Sequence, residues 1–140
     1  MTTANPDAII KPLVLVVEDE ILIRMMVVEA LDEAGFSSLE AGDGLTGIEL
    51  MKANREQLRG LVTDVNMGTG MDGWELARAG REQISDLPIV YVSGASGHEW
   101  TSRGVPNSLL ITKPFATAQI VVALSSLLVA LNTTPLVFGR

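Results

Sequence analysis

A chain of 140 residues, with apolar residues at 47% and charged ones at 19%, can bury roughly two-thirds of its extended surface in a single domain and cannot hold two ordinary ones. Ten Lys and Arg against seventeen Asp and Glu leave a formal charge of -7, so there is no basic surplus for nonspecific contact with nucleic acid. Cysteine is absent, which excludes disulfide and thiolate chemistry. Neither a secretory signal nor a run long enough to span a bilayer is read in the chain, and a soluble cytoplasmic protein is expected.

Residues 1–11 read as a flexible leader. Leu13 to Val17 is a short continuous apolar run that stops at Glu18, Asp19 and Glu20, the pattern of a strand covered on both faces. A helix is expected from Ile21 to Glu33, with Ile21, Met25, Val28 and Leu31 as its core face and Ala34-Gly35 as its stop. A weaker strand follows over Ser37 to Ala41, then a helix over Gly44 to Arg55, then a strand from Leu58 to Thr63 that ends on Asp64. After the glycine-rich stretch Gly68 to Gly73, a helix is expected from Trp74 to Gln83 and a strand from Pro88 to Val92. A short helix over His98 to Arg103, a strand over Ser108 to Thr112 and a last helix over Ala116 to Leu131 complete the alternation. Residues 12–131 form the predicted domain and 132–140 a C-terminal tail.

Five strands alternating with five helices through short connections imply a doubly wound α/β fold with a parallel sheet. In such sheets, ligand-binding groups collect outside the carboxyl ends of the strands. Glu18 and Asp19, Asp64, Ser93 and Lys113-Pro114 all fall there, on one rim. Three carboxylates gathered at one point repel unless a cation joins them or one keeps a proton. Magnesium suits oxygen donors, whereas a chain with no cysteine and the single His98 does not suit structural zinc. Asp64, fixed at a strand end, is the candidate nucleophile toward a phosphoryl donor, with Ser93 and Lys113 placed to hold transferred oxygens.

These residues resemble the receiver domain of two-component response regulators, particularly the single-domain chemotaxis type. The resemblance rests on Leu15-Val16-Val17-Glu18-Asp19-Glu20, Asp64 with Asn66-Met67 and Met71-Asp72-Gly73, Val92-Ser93-Gly94, and Lys113-Pro114-Phe115. It implies a flavodoxin-like fold with strand order 2-1-3-4-5. It further implies Asp64 as phosphoacceptor, Glu18 and Asp19 as the acidic magnesium pair, and the Asn66 carbonyl as completing the metal site. Ser93 and Lys113 take the roles of phosphate-sensing hydroxyl and lysine. The implied donor is a sensor histidine kinase or a histidine phosphotransfer protein, and the output is a switch in contacts with a downstream protein.

Three positions depart from the family pattern. The segment after the acceptor lacks a proline and carries one extra residue between Met67 and Met71; Leu110 replaces a ring three residues before the lysine; Ala95 stands two residues after the hydroxyl. Two rival readings stay open: a receiver-like binding protein that ignores phosphate, and a magnesium-dependent aspartyl phosphatase, for which Asn66 stands where a second aspartate is wanted. The last helix carries more apolar residues than one buried stripe needs, which points to a partner, to self-association, or to cover by Pro135-Leu136-Val137-Phe138. Trp74 and Tyr91 are expected against the sheet, Trp100 in the core or facing a partner, and His98 in a solvated loop.

Overall fold

The computed structural model describes residues 11–68, 70–94 and 97–138, with the side chains of 132–138 left aside. The leader expected over residues 1–11 therefore lies outside the described residues except for Lys11, and so does Ala95. Strands β1 (Leu13–Val17), β2 (Ser37–Ala41), β3 (Leu58–Asp64), β4 (Ile89–Ser93) and β5 (Ser108–Thr112) form one sheet. All its pairings are parallel, and the order is β2-β1-β3-β4-β5. Helices α1 (Ile21–Glu33), α2 (Gly44–Ala53), α3 (Gly73–Gln83) and α4 (Trp100–Arg103) lie in the four crossovers that parallel pairing requires, and α5 (Thr117–Phe138) follows β5 and packs back on the sheet.

The uninterrupted apolar runs of β1 and β4 follow from cover on both faces. Leu15, Val17, Leu61, Ile89 and Tyr91 point into a core with Met51 of α2 and Trp74, Leu76 and Ala77 of α3. Their strand neighbours Val14, Val16, Val62, Val90 and Val92 point the other way, against Val27 and Leu31 of α1 and Ile120 and Leu124 of α5. Each such side chain, fully buried, contributes on the order of 2 kcal/mol. Trp74 and Tyr91 are buried as expected, with ring centroids 4.6 Å apart. Trp100 is half-buried on the same core, and its indole donates to Ser108 Oγ at 3.0 Å.

Three expectations are corrected. The core face of α1 is Val27 and Leu31 with Ile23 and Val28 packed beside them, while Ile21 and Met25 face outward. The segment before α4 winds as a 3₁₀ turn over Gly97–Glu99, which leaves α4 a single turn. Finally α5 runs on to Phe138, so the backbone around Pro135 continues the helix; proline there removes one hydrogen bond without ending it.

Candidate functional site

The strand order reverses between β1 and β3, and this switch point places the residues after β1 beside the end of β3. Glu18, Asp19 and Asp64 meet there, each offering a carboxylate oxygen within 4.8 Å of the others. Glu18 and Asp64 are buried and Asp19 is exposed. Lys113, following β5, reaches over the sheet end so that its Nζ lies 2.9 Å from Asp64 Oδ2 and 3.6 Å from Glu18 Oε1. The other Asp64 oxygen accepts from the Asn66 backbone N–H at 3.2 Å. Both oxygens of Asp64 are thus held, and its carboxylate has a fixed orientation.

Ser93, which the sequence places at the end of β4, is fully buried and pairs with Thr112 of β5. Its carbonyl accepts from the Lys113 N–H at 2.9 Å, which keeps serine and lysine on adjacent strands of one rim. The structure therefore brings Glu18, Asp19, Asp64 and Lys113 together, seats Asn66 against Asp64, and sets Ser93 beside the base of Lys113.

The electrostatics follow from this crowding. Burial pushes the Glu18 carboxyl up from its usual 4.5 to about 7; the N–H of Glu20 opposes the rise, and the charge of Asp64 adds to it. Burial alone would lower the Lys113 ammonium, but its hydrogen bond to Asp64 and the charges of Asp64 and Glu18 raise it above its ordinary value. One lysine does not balance three acids at this distance. The donor set is carboxylate oxygen, with neither histidine nor cysteine in it, so the residues fit a hard divalent cation.

Two residues of the Met71-Asp72-Gly73 motif support the site in ways the motif alone does not disclose. Gly73 begins α3 directly behind the acceptor, and a Cβ at that position would run into the Asp64 carbonyl oxygen. Asp72 caps the same helix: it accepts from Glu75 N–H at 2.9 Å while Glu75 accepts from Asp72 N–H at 3.1 Å. The signal for this capping box was present as Asp72-Gly73-Trp74-Glu75. The loop before it takes positive φ at Gly68 and Gly70, around the extra residue noted above. Leu110 lies in the sheet beside Tyr91, so the aromatic hydroxyl belongs to β4, where it accepts from the Val105 N–H at 3.0 Å.

A parallel sheet in this order, with an acidic cluster and a lysine at its switch point, defines a phosphoaccepting receiver of the signalling class. The response regulator receiver domain family matches residues 14–125, and the chain belongs to that family. Among curated relatives, the transcriptional regulatory protein PdtaR of Mycobacterium tuberculosis is 32% identical over 125 residues, which cover 87% of this chain and 59% of that protein. Among solved structures, a response regulator receiver protein from Sinorhizobium medicae is 38% identical with a TM-score of 0.82, over 86% of this chain and 96% of that one. The chemotaxis protein CheY4 of Vibrio cholerae is 29% identical with a TM-score of 0.76, over 84% and 99% of the two chains. Among the described residues no helix is long and apolar enough to cross a membrane.

Proposed function

We propose that Asp64 takes a phosphoryl group from a phosphohistidine and that the resulting acyl phosphate switches protein contacts. An Asp64 oxygen attacks phosphorus, the P–N bond breaks, and the leaving imidazole nitrogen keeps the electron pair. The observation that carries the reading is the Asp64 carboxylate, held at one oxygen by Lys113 and at the other by Asn66 inside the acidic cluster. In this reading Glu18, Asp19, Asp64 and the backbone carbonyl of Asn66 hold magnesium. When bound, the ion offsets negative charge on both the carboxylate and the incoming phosphoryl group. Lys113 and Ser93 take up phosphoryl oxygens, the first as an ammonium, the second as a hydroxyl donor. Water later attacks the acyl phosphate and returns Asp64 to its free state, so the switch has a lifetime.

The donor is a sensor histidine kinase or a histidine phosphotransfer protein, and the exchange takes place in the cytoplasm. Docking surface for it lies at the start of α1, two residues past Asp19, where Ile21, Leu22, Met25 and Met26 are all more than half exposed. Apolar surface of this extent beside a charged site suits a protein donor better than a small molecule. Residues 12–131 make up the receiver unit, and the downstream partner is a protein contacted differently in the phosphorylated state. Val122 and Val129 on α5 are exposed and suit a further partner or a second copy.

The test is intact mass after exposure to a small phosphodonor, with and without magnesium, for the natural chain and for Asp64→Asn. One added phosphoryl group that needs magnesium and Asp64 supports the reading. No uptake under conditions that label a control receiver refutes it in favour of phosphate-independent binding.

A further inference from the structure

The acidic pair sits where the chain leaves the sheet, so something other than strand pairing must hold its backbone. On one side Glu18 is still anchored, since its N–H donates to the Ala41 carbonyl at 3.1 Å. On the other, its carbonyl accepts from Arg24 Nη1 at 2.7 Å, a short charge-assisted bond from the second turn of α1. The same guanidinium donates through Nε to Glu40 Oε1 of β2 at 3.2 Å. It is mostly buried, with 19% of the side chain exposed, and lies against Gly42, where a Cβ would stand 3.3 Å from Nη1.

Arginine's donors lie in one rigid plane, so a guanidinium held by Glu40 offers its next N–H at a fixed place. That place is the carbonyl between the two acids. The peptide joining Glu18 to Asp19 cannot turn without breaking this bond, and the two Cα atoms that flank it carry the paired carboxylates. We propose that Arg24, anchored by Glu40, is a positioning residue that sets the Glu18–Asp19 peptide and thereby tunes the affinity of the acidic cluster for its cation. The inference rests on the cation-dependent receiver reading above. It assigns to Arg24 a backbone contact rather than a charge contact, because among the described residues its ion pair is with Glu40.

The two possibilities differ in sign. A positive charge near a cation site weakens it, so if Arg24 acted through charge alone, Arg24→Gln would tighten magnesium binding. Loss of positioning weakens it, by about tenfold or more, as loss of a supporting hydrogen bond does in other metal sites. The experiment is calorimetric titration of magnesium chloride into the unphosphorylated chain, for the natural protein, Arg24→Gln, Arg24→Lys, Glu40→Gln and Arg24→Gln/Glu40→Gln. We expect weaker binding in Arg24→Gln and an intermediate loss in Arg24→Lys, whose single ammonium cannot serve both acceptors. Glu40→Gln should weaken binding in the natural background and change little once Arg24 is gone. Phosphate uptake by Arg24→Gln should recover at saturating magnesium, which damage to Asp64 would not allow. Far-ultraviolet circular dichroism in chelator checks folding, and Arg24→Lys carries the test if Arg24→Gln does not fold.

Equal or tighter binding by Arg24→Gln, or an undiminished effect of Glu40→Gln without Arg24, overturns the proposal while leaving the receiver reading intact. Failure of the natural protein to bind magnesium overturns both.

Discussion

Glu18 makes the fold sensitive to pH in a direction opposite to that of most paired carboxylates. In the unfolded chain it ionises near 4.5 and in the fold near 7, because burial and the charge of Asp64 outweigh the hydrogen bond from Glu20 and the pull of Lys113. Between those values the unfolded chain releases a proton that the folded chain keeps. Stability therefore falls as pH rises from about 4.5 and levels off above about 7, and the full difference is on the order of 3 kcal/mol. Glu18→Gln fills nearly the same volume and does not titrate. Urea unfolding in chelator from pH 4.5 to 8 should show the natural protein losing stability relative to the variant by up to that amount. Magnesium added at pH 8 should recover much of it in the natural protein and little in Glu18→Gln, since a cation favours the ionised acid. A difference between the two proteins that does not vary with pH, or that grows in favour of the natural chain, would refute the electrostatic account of the site.

Gly73→Ala tests whether close approach outweighs helix propensity. Alanine is favoured over glycine within a helix by about 1 kcal/mol, yet its Cβ would meet the Asp64 carbonyl and stand 2.8 Å from Val65 Cα. A net loss of about 1 to 3 kcal/mol is expected in urea unfolding, with reduced phosphate uptake because the strained backbone is that of Asp64; a stabilised, fully active variant would sink this. Tyr91→Phe keeps the ring against Trp74 but leaves the buried Val105 N–H without its acceptor. It should lower stability by about 1 to 3 kcal/mol, and an unchanged unfolding midpoint would show that another acceptor replaces the hydroxyl.

The features most legible in sequence were those in which a hydrophobic run ends abruptly on a charge. Leu13–Val17 followed by Glu18-Asp19, and Leu58–Asp64 with its terminal acid, disclose both the strand and its rim. The buried face of α1 was not legible, because Ile21, Leu22, Ile23, Met25, Met26, Val27 and Val28 give the helix apolar residues all round. Only the packing against β1 and α5 separates Val27 and Leu31 from Ile21 and Met25. Arg24 escaped notice for a related reason: a lone arginine in an apolar helix carries no motif, and its partners Glu18 and Glu40 are 6 and 16 residues away. Gly73 was visible as part of a motif, but its steric role depends on how closely α3 backs onto the end of β3. The run of α5 past Leu131 contradicts the ordinary use of proline as a stop signal.

The placement of Trp74 has an optical consequence. Its indole is almost wholly sealed from solvent, stacks at a tilt on Tyr91, and has the Arg103 guanidinium 5.9 Å from its ring centre. It is also the residue after Gly73, whose N–H donates to the Val65 carbonyl one residue beyond Asp64. Trp100, half-buried, shares the emission of the chain but sits in a wetter setting. Arg103 also pairs with Asp72 at 3.4 Å, so a shift of α4 relative to the acceptor loop would move a cation across the face of Trp74 and carry Trp100, the first residue of α4, along with it. The domain carries a native dye between its chemistry and its shortest α-helix, and the fluorescence of Trp74 is expected to follow a shift of that helix without a label.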